Sequence, residues 1–544
     1  MLKNFPSTDV LIVGAGPTGL MLANQLGRRG IRAVIIDRHS GPAEQTRAMS
    51  VHARTLEIYS KLGIADRAIE AGFPGIGANI WSGGRWKARV PFAAGAGLTP
   101  FPYVLMLGQD DNERIMGAHL QRYNIGVRWN TELISLDQHA SGVVATVKEP
   151  DGSTLTVDAA YVAGCDGGRS TVRELSGIGF PGAAYEHVFF VADTEATGSM
   201  VPGQLNIYLW RGGFHLYFPI RGSNRWRVIG ILPEGLQDKP DLRFEELVPT
   251  LIQAGSAGLA FSSCSWFSTY RIHHRCTERF RDRRCFLLGD AAHVHSPMGG
   301  QGMNTGLQDA YNLAWKLALV VAGQAGSALL DSYEAERAPV AHRLLATTDR
   351  AFQIVVSDHW LAAIFRTRIA GNIASLALRS KRLQNLAFRT VSQIGISYPQ
   401  SPLSQTLTGV AARAPRGGDR FPWLHLRLGA ETRARDMFEA LDDTRFHLLV
   451  IGQPAPSRDQ LRCGDLLQIH EVPAHPDNLK ELARVSVSAP AYYLLRPDGH
   501  VALAGTRFDA AEVRRWFEKA HVNPAASAHT GVTRQNALAI AAAS

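Results

Sequence analysis

At 544 residues, 45% of them hydrophobic, the chain is long enough for two or three domains with sizeable cores. Its net charge of +9 comes with no nucleic-acid fold motif and no aromatic stacking platform, so nucleic acid is not an expected partner. The five cysteines show neither a CxxC pair nor metal-ligand spacing, which argues against a disulfide framework or a zinc site and points to a reducing compartment, by default the cytoplasm.

The chain enters the apolar run Val10-Leu-Ile-Val13 within a few residues of its start, so no signal peptide is expected. No apolar run approaches the ~20 residues of a membrane span, and stable membrane insertion is not expected either. The run leads into Gly14-Ala-Gly16-Pro17-Thr18-Gly19. In that order, Gly14 allows a tight reversal, Gly16 lets backbone N–H groups approach a pyrophosphate, and Gly19 permits a helix through Arg29 to pack closely on the sheet. The helix N-terminus then faces the phosphates. A second strand, Ala33 to Asp37, ends in an acid suited to accept hydrogen bonds from an unphosphorylated adenosine ribose. This unit binds a dinucleotide, but alone it does not separate NAD from FAD.

Residues 76–104, carrying Trp81, Trp86, Phe101 and Tyr103, are a candidate lid. Within 181–270 the runs Gln204–Trp210, Gly213–Pro219 and Arg225–Gly230 alternate with period two between turn residues, as in an antiparallel sheet. The basic stretch Arg271 to Arg284 reads as a solvated strand and turn that could attract an anionic nicotinamide donor or substrate. Arg284 to Asp290 then predicts a buried strand ending in an acid that can bond a ribityl hydroxyl of a flavin. A helix over about Gly306 to Val321 would direct its N-terminal dipole at the Gly299–Asn304 loop, where the anionic N1/O2 edge of a reduced flavin would be favoured. These two segments select FAD. From Ala351 to about Ile396 the pattern is helical, apolar and interrupted by basic residues, which fits a roof over a pocket better than an amphipathic membrane contact. Turn formers from Ser401 to Pro422 mark a boundary, and strands near Phe446, Asp465 and Tyr492 with a helix near Ala510–Ala520 predict a further α/β unit.

Three separated motifs, the N-terminal glycine turn, Cys165-Asp166-Gly167-Gly168-Arg169 and Gly289-Asp290 with its glycine-rich sequel, resemble in order and spacing those of the class A flavoprotein monooxygenases, the FAD-dependent aromatic hydroxylases related to p-hydroxybenzoate hydroxylase and phenol hydroxylase. The resemblance covers most of residues 8–345, with Asp37 replacing the more usual Glu. It implies an α/β fold: a Rossmann-like FAD-binding domain (residues 1–75, 105–180 and 271–345), an antiparallel-sheet substrate domain (76–104 and 181–270), a helical roof (346–400), a thioredoxin-like C-terminal domain (405–522) and a mobile tail (523–544). The last domain lacks CxxC, so thiol redox chemistry is not expected of it. A flavoprotein ending near Ser401 is expected to keep its cofactor, and the C-terminal domain to support a homodimer.

The cofactor-binding set implied is Gly14, Gly16, Pro17, Thr18, Gly19, Asp37, Arg38, Arg47, Gln109, Asp166, Asp290, Pro297, Gly300, Gly302, Met303 and Asn304. Arg47 would contact the flavin or gate its movement, Pro297 would line the oxygen-transfer face, and His215 and Tyr217 are candidates for orienting or deprotonating a phenol. The activity implied is NADPH- or NADH-dependent hydroxylation of a small aromatic, phenolic substrate by a flavin C4a-hydroperoxide. Oxygen insertion or epoxidation on the same scaffold, and a non-catalytic flavoprotein that binds an aromatic ligand, stay open as alternatives. No pocket residue carries a code for the substrate or for NADH against NADPH.

Overall fold

The computed structural model describes residues 7–43, 48–220, 224–239, 241–255, 258–296, 298–356, 359, 364–377 and 379–526. Arg47, Pro297 and the tail beyond residue 526 lie outside the described residues.

The first run forms the strand Thr8–Val13, buried at every position. It therefore lies inside its sheet, paired in parallel with Ala33–Ile36 on one side and with Thr154–Gly164 on the other. A strand covered on both faces must be apolar throughout, as this one is. The helix Pro17–Arg28 starts on a proline, whose missing N–H costs nothing in the first turn, and buries Leu20, Met21, Leu22 and Leu26. Val127–Arg128 extends the parallel set beyond Ala33–Ile36, Cys285–Leu287 extends it beyond Thr154–Gly164, and three antiparallel strands complete an eight-stranded sheet.

A second eight-stranded sheet contains the alternating runs as Gly182–Thr197, Leu205–Trp210, Gly213–Pro219, Arg225–Ile231 and Ala260–Cys276. The candidate lid turns out to be part of this sheet. Its strand Gly77–Ser82 pairs in parallel with Leu205–Trp210, Trp81 stacks on Tyr208 with ring centroids 5.4 Å apart, and Arg85–Pro91 forms the sheet's outer edge. The pairing joins residues more than a hundred positions apart, which period-two alternation cannot reveal.

One face of that sheet is covered by the helix Phe244–Gly255 through Phe244, Leu247 and Leu251. The other meets Met49, Ala53, Phe92, Val104 and Met106 of the neighbouring segments and Phe388 of the helix Lys381–Val391.

The C-terminal unit has a five-stranded sheet in which Phe446–Ile451 lies between Leu467–Val472 and Ala491–Leu495, with Val501–Gly505 next and the helix Ala510–Lys519 packed on it. One face of this sheet packs on a cluster of the unit's own, around Phe421, Leu449 and Tyr493, but the other shares its core. Trp315, Leu319 and Leu329 from the flavin-motif side are buried in one cluster with Phe446, Trp516 and Phe517.

Charges cross the same boundary. Arg496 donates from two nitrogens to Glu336, at 2.5 and 3.0 Å, and from Nε to Asp498 at 3.0 Å. Lys316 Nζ reaches Glu336 at 2.8 Å, and all three side chains of the Lys316, Glu336 and Arg496 set have no exposed surface. Burial alone would raise the Glu336 pKa, but Arg496 and Lys316 overcome it and hold the carboxyl below its ordinary value.

Candidate active site

The three glycine-bearing motifs meet beyond the C-terminal ends of the parallel strands Thr8–Val13, Thr154–Gly164 and Cys285–Leu287. Gly14 has φ +103°, and a Cβ there would fall 2.3 Å from the Cys165 carbonyl oxygen and 2.8 Å from Asp166 Cα. The first turn thus lies against the second motif, and only glycine fits between them. Thr18 joins the third motif: Cβ atoms built on Gly289 and on Gly306 would come 2.7 and 2.4 Å from its Oγ1. Gly16 differs. A Cβ there would meet nothing within 4 Å, so the turn keeps an open side at the N-terminus of Pro17–Arg28.

Asp37 follows its strand immediately. One of its oxygens accepts from the Ala15 backbone N–H at 2.7 Å, and the other accepts from the His39 N–H at 2.8 Å. Nearby, Gln109 begins the helix Gln109–Leu120 and donates to Glu113 at 2.8 Å, and the second Glu113 oxygen accepts from the Ala43 N–H at 2.9 Å. Burial, with the charge of Asp37 adding to it, raises the Glu113 pKa. Arg38 is exposed, and Asp290 is exposed on the tight turn Gly289–Ala291.

Asp166 is turned into its own loop, where it accepts from Ser170 Oγ at 2.5 Å and from the Val172 N–H at 3.2 Å, so its carboxyl shapes the turn. Burial raises its pKa. Arg173, from the same loop, donates to the Ala291 carbonyl at 3.0 Å and thereby ties the second motif to the third.

The third motif is held from beneath by Asp309, a fully buried residue of the helix Gly302–Val321. One carboxylate oxygen accepts from the Gly289 N–H at 3.0 Å and lies 2.7 Å from His293 Nε2, and the other accepts from Arg337 Nε at 2.6 Å. Arg337 continues to the Tyr398 hydroxyl at 2.9 Å and the Thr305 carbonyl at 3.2 Å. Burial would raise the Asp309 pKa; the cation of Arg337, with help from His293, lowers it.

The glycine-rich loop is fixed from its other side by Asn304, whose side chain is wholly engaged by the protein. Its oxygen accepts from the His52 N–H and from Thr55 Oγ1, both at 2.8 Å, while its amide donates to the carbonyls of Ser50 at 2.8 Å and Gly300 at 3.0 Å. His52 Nε2 lies 3.0 Å from the Gly299 and Gly300 carbonyls, and burial lowers its pKa to about 4, so it is a neutral donor at ordinary pH. Gly302 and Met303 are half-buried at the helix start, with Met303 Sδ 3.5 Å from Asn112 Nδ2.

His215 and Tyr217 do not belong to this assembly. His215 pairs across the strands with Gly230 and Tyr208, and its ring lies 5.7 Å from Phe190 and 5.3 Å from Trp210. Both are fully buried, Tyr217 with Phe190, Phe244 and Leu247 in the layer that packs under the helix Phe244–Gly255. Burial drives His215 down to about 3, and neither ring nitrogen has a hydrogen-bond partner.

The opposite face of the sheet carries Val191, Phe218 and Ile229, with partly buried Leu216, Trp266 and Tyr270, toward Met49, Phe101 and Phe388. Sequence reasoning passed over Tyr270. Among the described residues its hydroxyl has no hydrogen-bond partner, and burial raises its pKa to about 12. Arg227 lies on the same face, bonded to Asp193 at 2.6 Å and with its guanidinium 5.1 Å from the Trp266 ring centre.

Comparison with known proteins agrees with this arrangement. Residues 7–348 match the FAD binding domain family, and residues 414–520 match the C-terminal region of aromatic-ring hydroxylases. The chain is 33% identical over 526 residues to 6-methylpretetramide 4-monooxygenase of Streptomyces rimosus, covering 95% of this chain and 94% of that protein. It is 31% identical over 499 residues to pentachlorophenol 4-monooxygenase of Sphingobium chlorophenolicum, with 90% and 86% covered. A solved ternary complex of aklavinone-11 hydroxylase with FAD and aklavinone superposes with a TM-score of 0.76 at 26% identity, covering 95% of this chain and 100% of that one. Three cofactor motifs gathered at the C-terminal ends of neighbouring parallel strands, together with likeness along nearly the whole chain, establish that this protein belongs to the FAD-dependent, NAD(P)H-consuming aromatic-ring monooxygenases.

Proposed function

We propose that the protein hydroxylates a phenolic substrate held between the Trp266–Tyr270 face of the second sheet and the glycine-rich loop. The observation that carries this reading is the unpartnered Tyr270 hydroxyl, on a partly buried side chain of the face of that sheet that packs toward Met49, Phe101 and Phe388. The relative named for pentachlorophenol acts on a phenol, which supports the same class.

The residues fit FAD. The open side of Gly16 and the helix N-terminus behind it suit a pyrophosphate, Asp37 suits the adenosine ribose, and exposed Asp290 suits a ribityl hydroxyl. The N-terminus of Gly302–Val321 suits negative charge on the flavin, a contribution of roughly 0.3–2 kcal/mol. Bound FAD supplies the electron transfer from NAD(P)H and the activation of dioxygen.

The chain's own part is to orient the ring and favour its ionised form. A phenol of pKa near 10 lies ~3 units from its phenolate at neutral pH, a cost of roughly 4 kcal/mol. With its own pKa raised to about 12, Tyr270 stays protonated and donates a hydrogen bond to the substrate oxygen; it does not act as the base. The apolar wall of Val191, Phe218 and Ile229 excludes water from the reacting face.

The test of this reading is a screen of phenols for stimulated NAD(P)H consumption with product mass analysis. A product heavier by one oxygen atom supports it, and consumption that yields only hydrogen peroxide with every phenol counts against it. With a substrate so identified, Tyr270→Phe is expected to lower kcat/KM by about 2- to 10-fold, the range of one neutral hydrogen bond of ~0.5–1.5 kcal/mol. His215→Phe, on the far face, should stay within about twofold of wild type. Asp290→Ala is expected to weaken FAD binding, read by fluorescence titration of the apoprotein. Unchanged FAD affinity would remove Asp290 from the site.

A further inference from the structure

Glu57 stands where three parts of the chain meet. From the C-terminal unit, Arg420 donates to it through Nε at 2.8 Å and through a second nitrogen to its other oxygen. From the strip that follows the Arg85–Pro91 edge strand, Thr99 Oγ1 donates at 2.7 Å, and from Glu57's own helix Ala53–Leu62, Arg54 donates at 3.1 Å. The carboxylate is 3% exposed. Burial opposes its charge, and Arg420 and Arg54 restore it.

Arg420 does more than neutralise. It also donates to the Leu98 carbonyl at 3.3 Å, and Arg484 of the same unit donates to the Gly97 carbonyl at 2.6 Å. The strip they hold leads straight to Phe101, which borders the layer facing Tyr270. On the other side, the helix that carries Glu57 begins with His52 and Thr55, the residues that grip Asn304 and, through it, the glycine-rich loop. A continuous set of bonds thus runs from Arg420 to the loop beside the flavin and to the border of the substrate layer.

Adhesion between the units does not need this arrangement. The shared apolar cluster around Trp315 and the Arg496 to Glu336 pair already hold them together elsewhere. A buried ion pair is a weak source of net stability, since desolvation offsets much of its attraction, but it fixes geometry well.

We propose that the C-terminal unit is a positioning element for the flavin and substrate sites, and that Arg420 is the residue through which it acts. The inference rests on the flavin site assigned above. It assigns to this unit, which has no CxxC motif, a task in the monooxygenase reaction: setting the relative position of the glycine-rich loop and the Gly97–Thr99 strip.

The test compares Arg420→Met, which keeps the bulk of the stem and loses the donors, with Arg420→Lys, which keeps the charge. The FAD dissociation constant, the visible-region circular dichroism of the bound flavin and the thermal midpoint are measured for each. Arg420→Met should raise the dissociation constant at least tenfold and change the flavin dichroism, with Arg420→Lys between it and wild type. A soluble Arg420→Met protein whose FAD affinity stays within twofold of wild type, with superimposable flavin dichroism, overturns the proposal whatever its thermal midpoint. Should Arg420→Met fail to fold, the double variant Glu57→Gln/Arg420→Met removes both charges of the pair and is judged by the same two flavin measurements. An Asp290→Ala effect without an Arg420→Met effect defeats positioning alone; the absence of both defeats positioning and removes Asp290 from the flavin site.

Discussion

Arg337→Met is expected to cause the largest loss of flavin of any single substitution in the FAD-binding region. Arg337 and Asp309 are both fully buried, and the remaining Asp309 oxygen is committed to the Gly289 N–H and His293. Removing the guanidinium leaves a buried carboxylate short of its main counter-charge, a loss of about 3–5 kcal/mol for a broken buried pair. The damage is local to the cofactor, because Asp309 holds the turn that presents Asp290, and Arg337 also anchors the Thr305 carbonyl in the first turns of the helix behind the glycine-rich loop. The purified variant should be largely apoprotein, with a lower thermal midpoint. The double variant Asp309→Asn/Arg337→Met should recover part of the midpoint, since no uncompensated charge remains. A yellow Arg337→Met protein with wild-type FAD stoichiometry would contradict this account of the turn.

A chain ending at Ser401 is expected to be insoluble or free of flavin. This reverses the expectation from sequence, where every cofactor motif lies upstream and the cut falls in a turn-rich stretch. The structure points to the opposite outcome: truncation removes Arg420 from Glu57 and Arg496 from Glu336, and with them the contacts that fix both carboxylates. It also exposes Trp315, Leu319 and Leu329, each worth roughly 1.5–3 kcal/mol of apolar burial. Such a sum exceeds a large part of the ~5–15 kcal/mol net stability of an ordinary domain. Soluble expression of residues 1–401 with bound FAD would show that the shared core is dispensable.

Sequence disclosed the parts of this fold that are written locally. The turn after Val13 needs glycine for backbone reasons, the acid at position 37 follows its strand directly, and the antiparallel strands declare themselves by alternation. Parity also groups His215 with Tyr217 correctly, but it does not say which face of the sheet meets the cofactor. That is decided by the helix Phe244–Gly255, whose Phe244, Leu247 and Leu251 cover the face that carries Tyr217, Phe190 and Val228. Tyr270, on the other face, sits next to a basic stretch and carries no local signal of its own. The bonds from Glu57 to Arg420 and from Asp309 to Arg337 join charges whose partners no local pattern names, because they are set by tertiary packing.

The shared core also bears on how such chains can be recombined. A crossover in the turn-rich stretch from Ser401 to Pro422 looks harmless, yet it takes Glu336, and with it Trp315, from one parent and Arg496 and Phe446 from the other. Where the parents differ at those positions, a chimera meets a mismatched acid, base or ring in a place water does not reach. Exchange of substrate preference between relatives is therefore least disruptive when the cuts fall around the second sheet and leave Glu57, Glu336 and the whole C-terminal unit with a single parent.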